Sequence, residues 1–149
     1  MKYSSKKSFS LLTGSILLSL ALSACTTAPK EPPSPYSPEE EVALEAIKTE
    51  FANGNYKTLI TQIKAEPLML TGSLAFRTEA LKFQAFSECV SKRRTACGKT
   101  FNKMLSGNPD YTLDPAESTH PTWGPVFERE NKKVQVSRLR VEKQLSSQK

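Results

Sequence analysis

Apolar residues recur at helical spacing through most of the chain beyond position 40, with turn residues between the runs. Ser37-Pro38-Glu39-Glu40 opens the first run, with a hydroxyl N-cap, a proline in the first turn and a glutamate three residues on to close a capping box. Val42, Ala43, Ala46, Ile47 and Phe51 follow at the spacing of one helix face, and Asn53-Gly54-Asn55 supplies a turn that tolerates left-handed torsions. Tyr56, Leu59, Ile60 and Ile63 predict a second helix, stopped by Pro67. A third helix is predicted over about 73–90, with Leu74, Leu81, Ala85, Phe86 and Cys89 as its stripe. A fourth starts near Arg94, carries Cys97, Phe101, Met104 and Leu105, and ends at Ser106-Gly107-Asn108-Pro109. Asp114-Pro115-Ala116-Glu117 repeats the capping grammar for a short helix, cut at His120-Pro121 because a residue before proline disfavours helical torsions. A last helix begins near Gly124-Pro125 and aligns Phe127, Val134, Val141 and Leu145. Its flanks are heavily charged, so its far end should be solvated or bound to something else. The expectation is an all-α fold of antiparallel helical hairpins with about five to six helices.

The two hairpins share a pattern. Leu59 and Ile63 align with Cys97 and Phe101 at an offset of 38, close to the tetratricopeptide period of about 34. Phe51-Ala52-Asn53-Gly54-Asn55-Tyr56 resembles the turn of that repeat. Generic hairpins with common helical grammar are the alternative. A solenoid of two units needs an atypical cap, and the C-terminal third supplies a candidate.

The first 38 residues read differently. Lys2, Lys6 and Lys7 precede an apolar stretch over 9–22, shorter than the roughly 20 apolar residues a membrane-spanning helix needs. This is the order of a signal peptide. Leu22-Ser23-Ala24-Cys25 resembles a lipobox, the motif of bacterial prolipoprotein processing. The resemblance implies cleavage before Cys25, lipidation of its sulfur and a stable hold on a membrane, since two or more acyl chains anchor where one does not. An ordinary secretory signal or an uncleaved anchor are the other readings. Thr26 is not the aspartate that retains many lipoproteins at the inner membrane, so the outer membrane, facing the periplasm, is the expected site. Residues 26–38 contain five prolines and should run as a semi-extended tether. The predicted organisation is a signal peptide over 1–24, lipidated cysteine and tether over 25–38, a helical domain over 39–130, and a charged helix or tail over 131–149.

Charge and cysteine count narrow the chemistry. The net charge of +6 loses three lysines with the expected signal peptide, leaving +3, too little to argue for nucleic acid. With Cys25 assigned to lipid, Cys89 and Cys97 remain as a pair around a polar, basic turn. An oxidising periplasm favours a bridge between them, stapling one helix end to the next helix start. Two reduced buried thiols and a redox pair are the competing readings, and Cys-x-x-Cys spacing is absent.

The stretch from Asp110 through His120, Pro121, Trp123, Gly124 and Pro125 to Phe127, taken with the spacing of Ala85-Phe86, Cys89, Cys97 and Phe101, resembles the TssQ-type family of small tetratricopeptide-like lipoproteins associated with type VI secretion. The likeness covers roughly residues 40–130 and the lipobox, and its most distinctive part is His120 to Phe127. It implies an accessory lipoprotein beside a secretion apparatus, with a protein partner in the cell envelope and no catalytic role. Read physically, the same run is a rigid corner. Pro121 and Pro125 fix torsions, Gly124 permits close backbone approach, and Trp123 and Phe127 offer large apolar faces. Those rings either cap the last repeat or form an exposed patch; capping is the expectation.

No residue set points to catalysis. His120 is the single histidine and sits before a proline, a place more typical of a structural hydrogen-bonder. Metal ligands run out once the cysteines are assigned, so no metal or other cofactor is expected. Neither a Gly-x-Ser-x-Gly elbow nor a glycine-rich phosphate loop is present, and no small-molecule substrate is implied. Two classes remain: a scaffold or accessory factor of a secretion machine, and a pilotin-like carrier for another envelope machine.

Overall fold

The computed structural model describes residues 33–148; the signal peptide expected over 1–24 and the expected lipidation site Cys25 lie outside the described residues. Those residues form an all-α fold: α1 (Pro38–Ala52), α2 (Tyr56–Ala65), α3 (Leu68–Thr71), α4 (Leu74–Val90), α5 (Arg94–Gly107), α6 (Pro115–Ser118) and α7 (Gly124–Ser146). There are seven helices among the described residues rather than five or six. The additional one, α3, is a single turn after Pro67, too short to show helical periodicity.

The predicted capping box of α1 is present: Glu40 N donates to Ser37 Oγ at 3.3 Å, and Ser37 N to Glu40 Oε2 at 2.9 Å. The same carboxylate accepts from the Ser73 amide and from Ser73 Oγ, and that hydroxyl in turn accepts from Phe76 N to cap α4. One buried glutamate therefore ties together the starts of two helices. These donors, the Ser73 amide first and the Ser37 amide next, hold its carboxyl below the usual range. Its burial corrects the expected stripe of α1. The inward face is Glu40, Leu44 and Ile47, while Val42 and Ala46 face solvent. Apolar spacing alone could not choose between two faces offset by two residues.

The two hairpin turns match bond for bond at the offset of 38. Asn55 N bonds Glu50 O at 2.9 Å as Arg93 N bonds Glu88 O at 2.8 Å; Gly54 N bonds Phe51 O as Lys92 N bonds Cys89 O. The left-handed residue is Gly54 in the first turn (φ 74°) and Lys92 in the second (φ 61°). A side chain there costs on the order of 1 kcal/mol, a strain the second turn carries and the first avoids. α4 packs against both α1 and α2 and also against α5, so it is the shared helix of two stacked hairpins. Being surrounded, it buries polar residues as well as apolar ones: Thr78, Lys82, Gln84, Ser87 and Glu88 lie inside, whereas its first apolar residue, Leu74, is exposed.

Leu44, Ile47, Leu59, Ile60, Ile63, Phe76 and Ala80 form one core cluster. Leu81, Phe86, Cys97, Phe101, Met104, Trp123 and Phe127 belong to a second. Phe51 and Met69 pack against both. Tyr36, placed by sequence in the tether, packs against the first cluster just before α1 begins.

Cys89 and Cys97 are joined, with their Cα atoms 5.2 Å apart. The bridge closes the α4–α5 turn across its strained residue. For a loop this short the expected contribution is about 2–3 kcal/mol. Peptide mapping without reduction should recover the two cysteines together, and a Cys89→Ala, Cys97→Ala chain should unfold at correspondingly lower denaturant. Recovery of both as alkylated free thiols from protein prepared without reductant would contradict the pairing.

Candidate functional site

The run singled out by sequence, His120 to Phe127, folds into a tight corner between α6 and α7. Gly124 is where that corner closes. A Cβ on it would sit 2.2 Å from the Ser118 carbonyl oxygen, a backbone atom that cannot step aside, so only glycine lets the chain fold back on α6. Pro121 and Pro125 are exposed and act through their torsions, while Trp123, Gly124, Val126 and Phe127 point inward.

Trp123 is 9% exposed and is held on each side. Its ring stacks on Phe86 of α4 at 4.2 Å between centroids, and on His120 at 3.3 Å with the planes 3° apart. Phe51 meets it edge-on at 6.4 Å, so the turn of the first hairpin reaches the cap of the second. The indole Nε1 donates to the Glu117 carbonyl at 2.9 Å, which satisfies its one polar atom. Phe127 meets Phe101 edge-on at 5.4 Å and seats the start of α7 on α5. His120 Nδ1 accepts from the Thr122 amide at 3.2 Å. These rings close the core and do not present an open aromatic patch.

Glu117 was legible only as a capping residue, and it does more. Its Oε2 accepts from the Asp114 amide, its backbone carbonyl holds Trp123, and its Oε1 lies 2.7 Å from Lys82 Nζ. Lys82 has a side chain only 6% exposed, is also 2.8 Å from Glu79, and lies over the rings of Phe83 and Phe86. Burial works against its charge, but the bonds to Glu117 and Glu79 outweigh it and the ammonium is held above the ordinary lysine value. Tyr111 beside it is pushed up to about 12, chiefly by burial. The signal for Lys82 was a charge embedded in the apolar run Leu81 to Phe86, four residues before Phe86 itself.

Two further buried acids escaped the pattern. Glu88 accepts from Thr100 Oγ1 at 2.7 Å and Gln84 Nε2 at 3.1 Å, pinning α4 to α5. Glu130, three residues past Phe127 and so on the packing stripe, is 5% exposed and paired with Lys133 and Arg129. Burial opposes its charge, yet these two cations keep its carboxyl below the usual range.

The boundary expected at 130/131 falls inside α7, which runs unbroken to Ser146. Its second half differs in burial, not in secondary structure. Val134 is half-buried, Gln135 Nε2 donates to Pro109 O at 2.6 Å, and Arg138 pairs with Asp110 at 2.7 Å. Every described residue from Leu139 onward is exposed. Val141 and Leu145, aligned by sequence with Phe127, are 55% and 62% exposed.

Among the described residues no helix is long and apolar enough to cross a membrane. No protein-family model matches the chain, and neither a curated protein nor a solved structure does.

Proposed function

We propose that this chain is an outer-membrane-anchored periplasmic lipoprotein that serves as a non-enzymatic scaffold or accessory factor of a secretion machine, of the TssQ type associated with type VI secretion. The observation that carries the scaffold reading is the fate of α7. A corner locked by Trp123 and Gly124 holds the start of this helix on α5, and its last turns leave the core with apolar residues exposed. A fold that fixes one end of a long helix and leaves the other open is suited to holding a partner. Anchoring rests on the lipobox at Cys25, and the type VI assignment rests on the His120 to Phe127 resemblance.

Cys25→Ser tests the anchor. The variant should stay unlipidated and leave the outer-membrane fraction, whereas a normally processed variant recovered with the lipid would refute it. The scaffold role is tested by crosslinking in intact cells followed by purification of the lipidated chain. Components of a secretion apparatus should be attached through α7. Attachment to a secretin's C-terminal segment instead would favour the pilotin-like role.

A further inference from the structure

Positive charge gathers where α5 lies against the first turns of α7. Arg94 and Lys99 of α5 and Arg129 and Lys133 of α7 line a cleft of about 440 Å³, and Glu130 is the one acid in its lining. The basic turn between the two cysteines leads into it, since α5 begins at Arg94. Glu130 answers only part of this charge. Its buried carboxylate lies 3.1 Å from Arg129 Nε, with Lys133 Nζ at 2.8 and 3.0 Å from its two oxygens. Arg129 uses Nε alone, so among the described residues the terminal nitrogens of its guanidinium have no hydrogen-bond partner. Arg94 and Lys99 are exposed and make no ion pair among the described residues. Four cations against one carboxylate leave an excess of three positive charges in the lining. Gly98, inside α5, makes room for this arrangement. A Cβ there would meet Glu130 Oε1 at 3.3 Å and Arg129 Nη2 at 3.4 Å, so a residue that weakens a helix interior lets both groups settle against α5.

We propose that this cleft binds a phosphate group carried on a small polar body. Like charges brought together from two helices repel one another, and a bound anion relieves that repulsion. Three unanswered charges on separate side chains suit an oxyanion with several oxygens better than a lone carboxylate. The free guanidinium edge of Arg129 matches phosphate oxygens in pairs, while Arg94 and Lys99 approach from the opposite wall. The Thr95 hydroxyl and the Asn102 amide belong to the same lining and suit the hydroxyl groups of a glycerol or sugar. Such a phosphate occurs on soluble phosphorylated polyols and on phospholipid headgroups, and the test separates the two.

The proposal goes beyond the scaffold reading and does not depend on it or on the anchor at Cys25. The full chain, purified in a non-ionic detergent, is titrated in a calorimeter with glycerol 3-phosphate, with glycerol, and with the short-chain lipid dihexanoyl-phosphatidylglycerol. A phosphate probe should bind to saturation and weaken with added salt, whereas glycerol should give no binding heat. Tighter binding of glycerol 3-phosphate assigns the cleft to a soluble phosphorylated polyol, and tighter binding of the lipid assigns it to a headgroup. Arg94→Gln with Lys99→Gln should weaken the preferred probe by on the order of tenfold. The melting temperature should stay put, because both side chains are exposed and unpaired. Lys64→Gln with Lys103→Gln, an equal loss of exposed charge outside the cleft, should leave binding nearly unchanged. Absence of saturable binding by both phosphate probes overturns the proposal, as does an equal loss in the two double variants. A glutamate-rich peptide held more tightly than either probe through Arg94 and Lys99 also overturns it, and names an acidic protein segment as the occupant.

Discussion

Trp123→Ala should lower the stability of the folded part by about 3–5 kcal/mol, the range for emptying a large aromatic site in a core. Three losses coincide at this position. The Phe86 face loses its stacking partner, His120 loses the surface on which it lies, and the Glu117 carbonyl loses the indole donor. The neighbours cannot collapse easily into the space, because Gly124 and Ser118 already touch through backbone. Against a usual total of about 5–15 kcal/mol, such a loss should be visible as a large drop in melting temperature and in urea midpoint. Trp123→Phe separates the contributions: it keeps most of the stacking and forfeits the hydrogen bond, worth about 1 kcal/mol. Circular dichroism melts of the three proteins under oxidising conditions measure the series. Wild-type melting in Trp123→Ala would show that the ring is an exposed anchor after all, and would return His120 to Phe127 to the list of binding residues.

Lys82→Ala should be the next most damaging change. Removing one partner of a buried ion pair costs about 3–5 kcal/mol, because the other partner stays desolvated and unpaired. Here the two carboxylates keep some water, with Glu79 at 18% and Glu117 at 22% side-chain exposure, so about 2–3 kcal/mol is the expected loss. Lys82→Met retains most of the stem and isolates the charge. Adding Glu79→Gln and Glu117→Gln to Lys82→Met should recover part of the loss, since no uncompensated acid then remains. The pH dependence has a definite sign. The folded-state value of Lys82 is raised, so its contribution is complete below the unfolded lysine value near 10.4 and disappears only as pH rises through the folded value. The wild type and Lys82→Met should therefore differ by a constant amount across neutral pH and converge only in strong alkali. A gap that closes on going from pH 8 to pH 7 would exclude this ion pair as its source.

Much of the architecture was written in local sequence. Ser37 with Glu40, Asp114 with Pro115, and Gly54 in its turn act over a few residues, so the starts of α1 and α6 and the first hairpin turn follow from neighbours alone. The 38-residue offset aligned Leu59 and Ile63 with Cys97 and Phe101, and the structure adds that the turns before them carry equivalent backbone hydrogen bonds. Gly124 and Trp123 could be recognised as a corner because two prolines bracket them. What the chain could not declare was which polar residues would be taken inside. Glu40 serves α4 across 33 residues of sequence, Lys82 reaches Glu117, and Trp123 finds Phe86 and Phe51, all through contacts that exist only once the hairpins stack. The two halves of α7 show the same division. Sequence gave one continuous stripe from Phe127 to Leu145, and periodicity sets only which side chains share a face. Whether that face is covered depends on the length of the neighbouring helix, and α5 ends at Gly107 because Asn108-Pro109 cannot continue it.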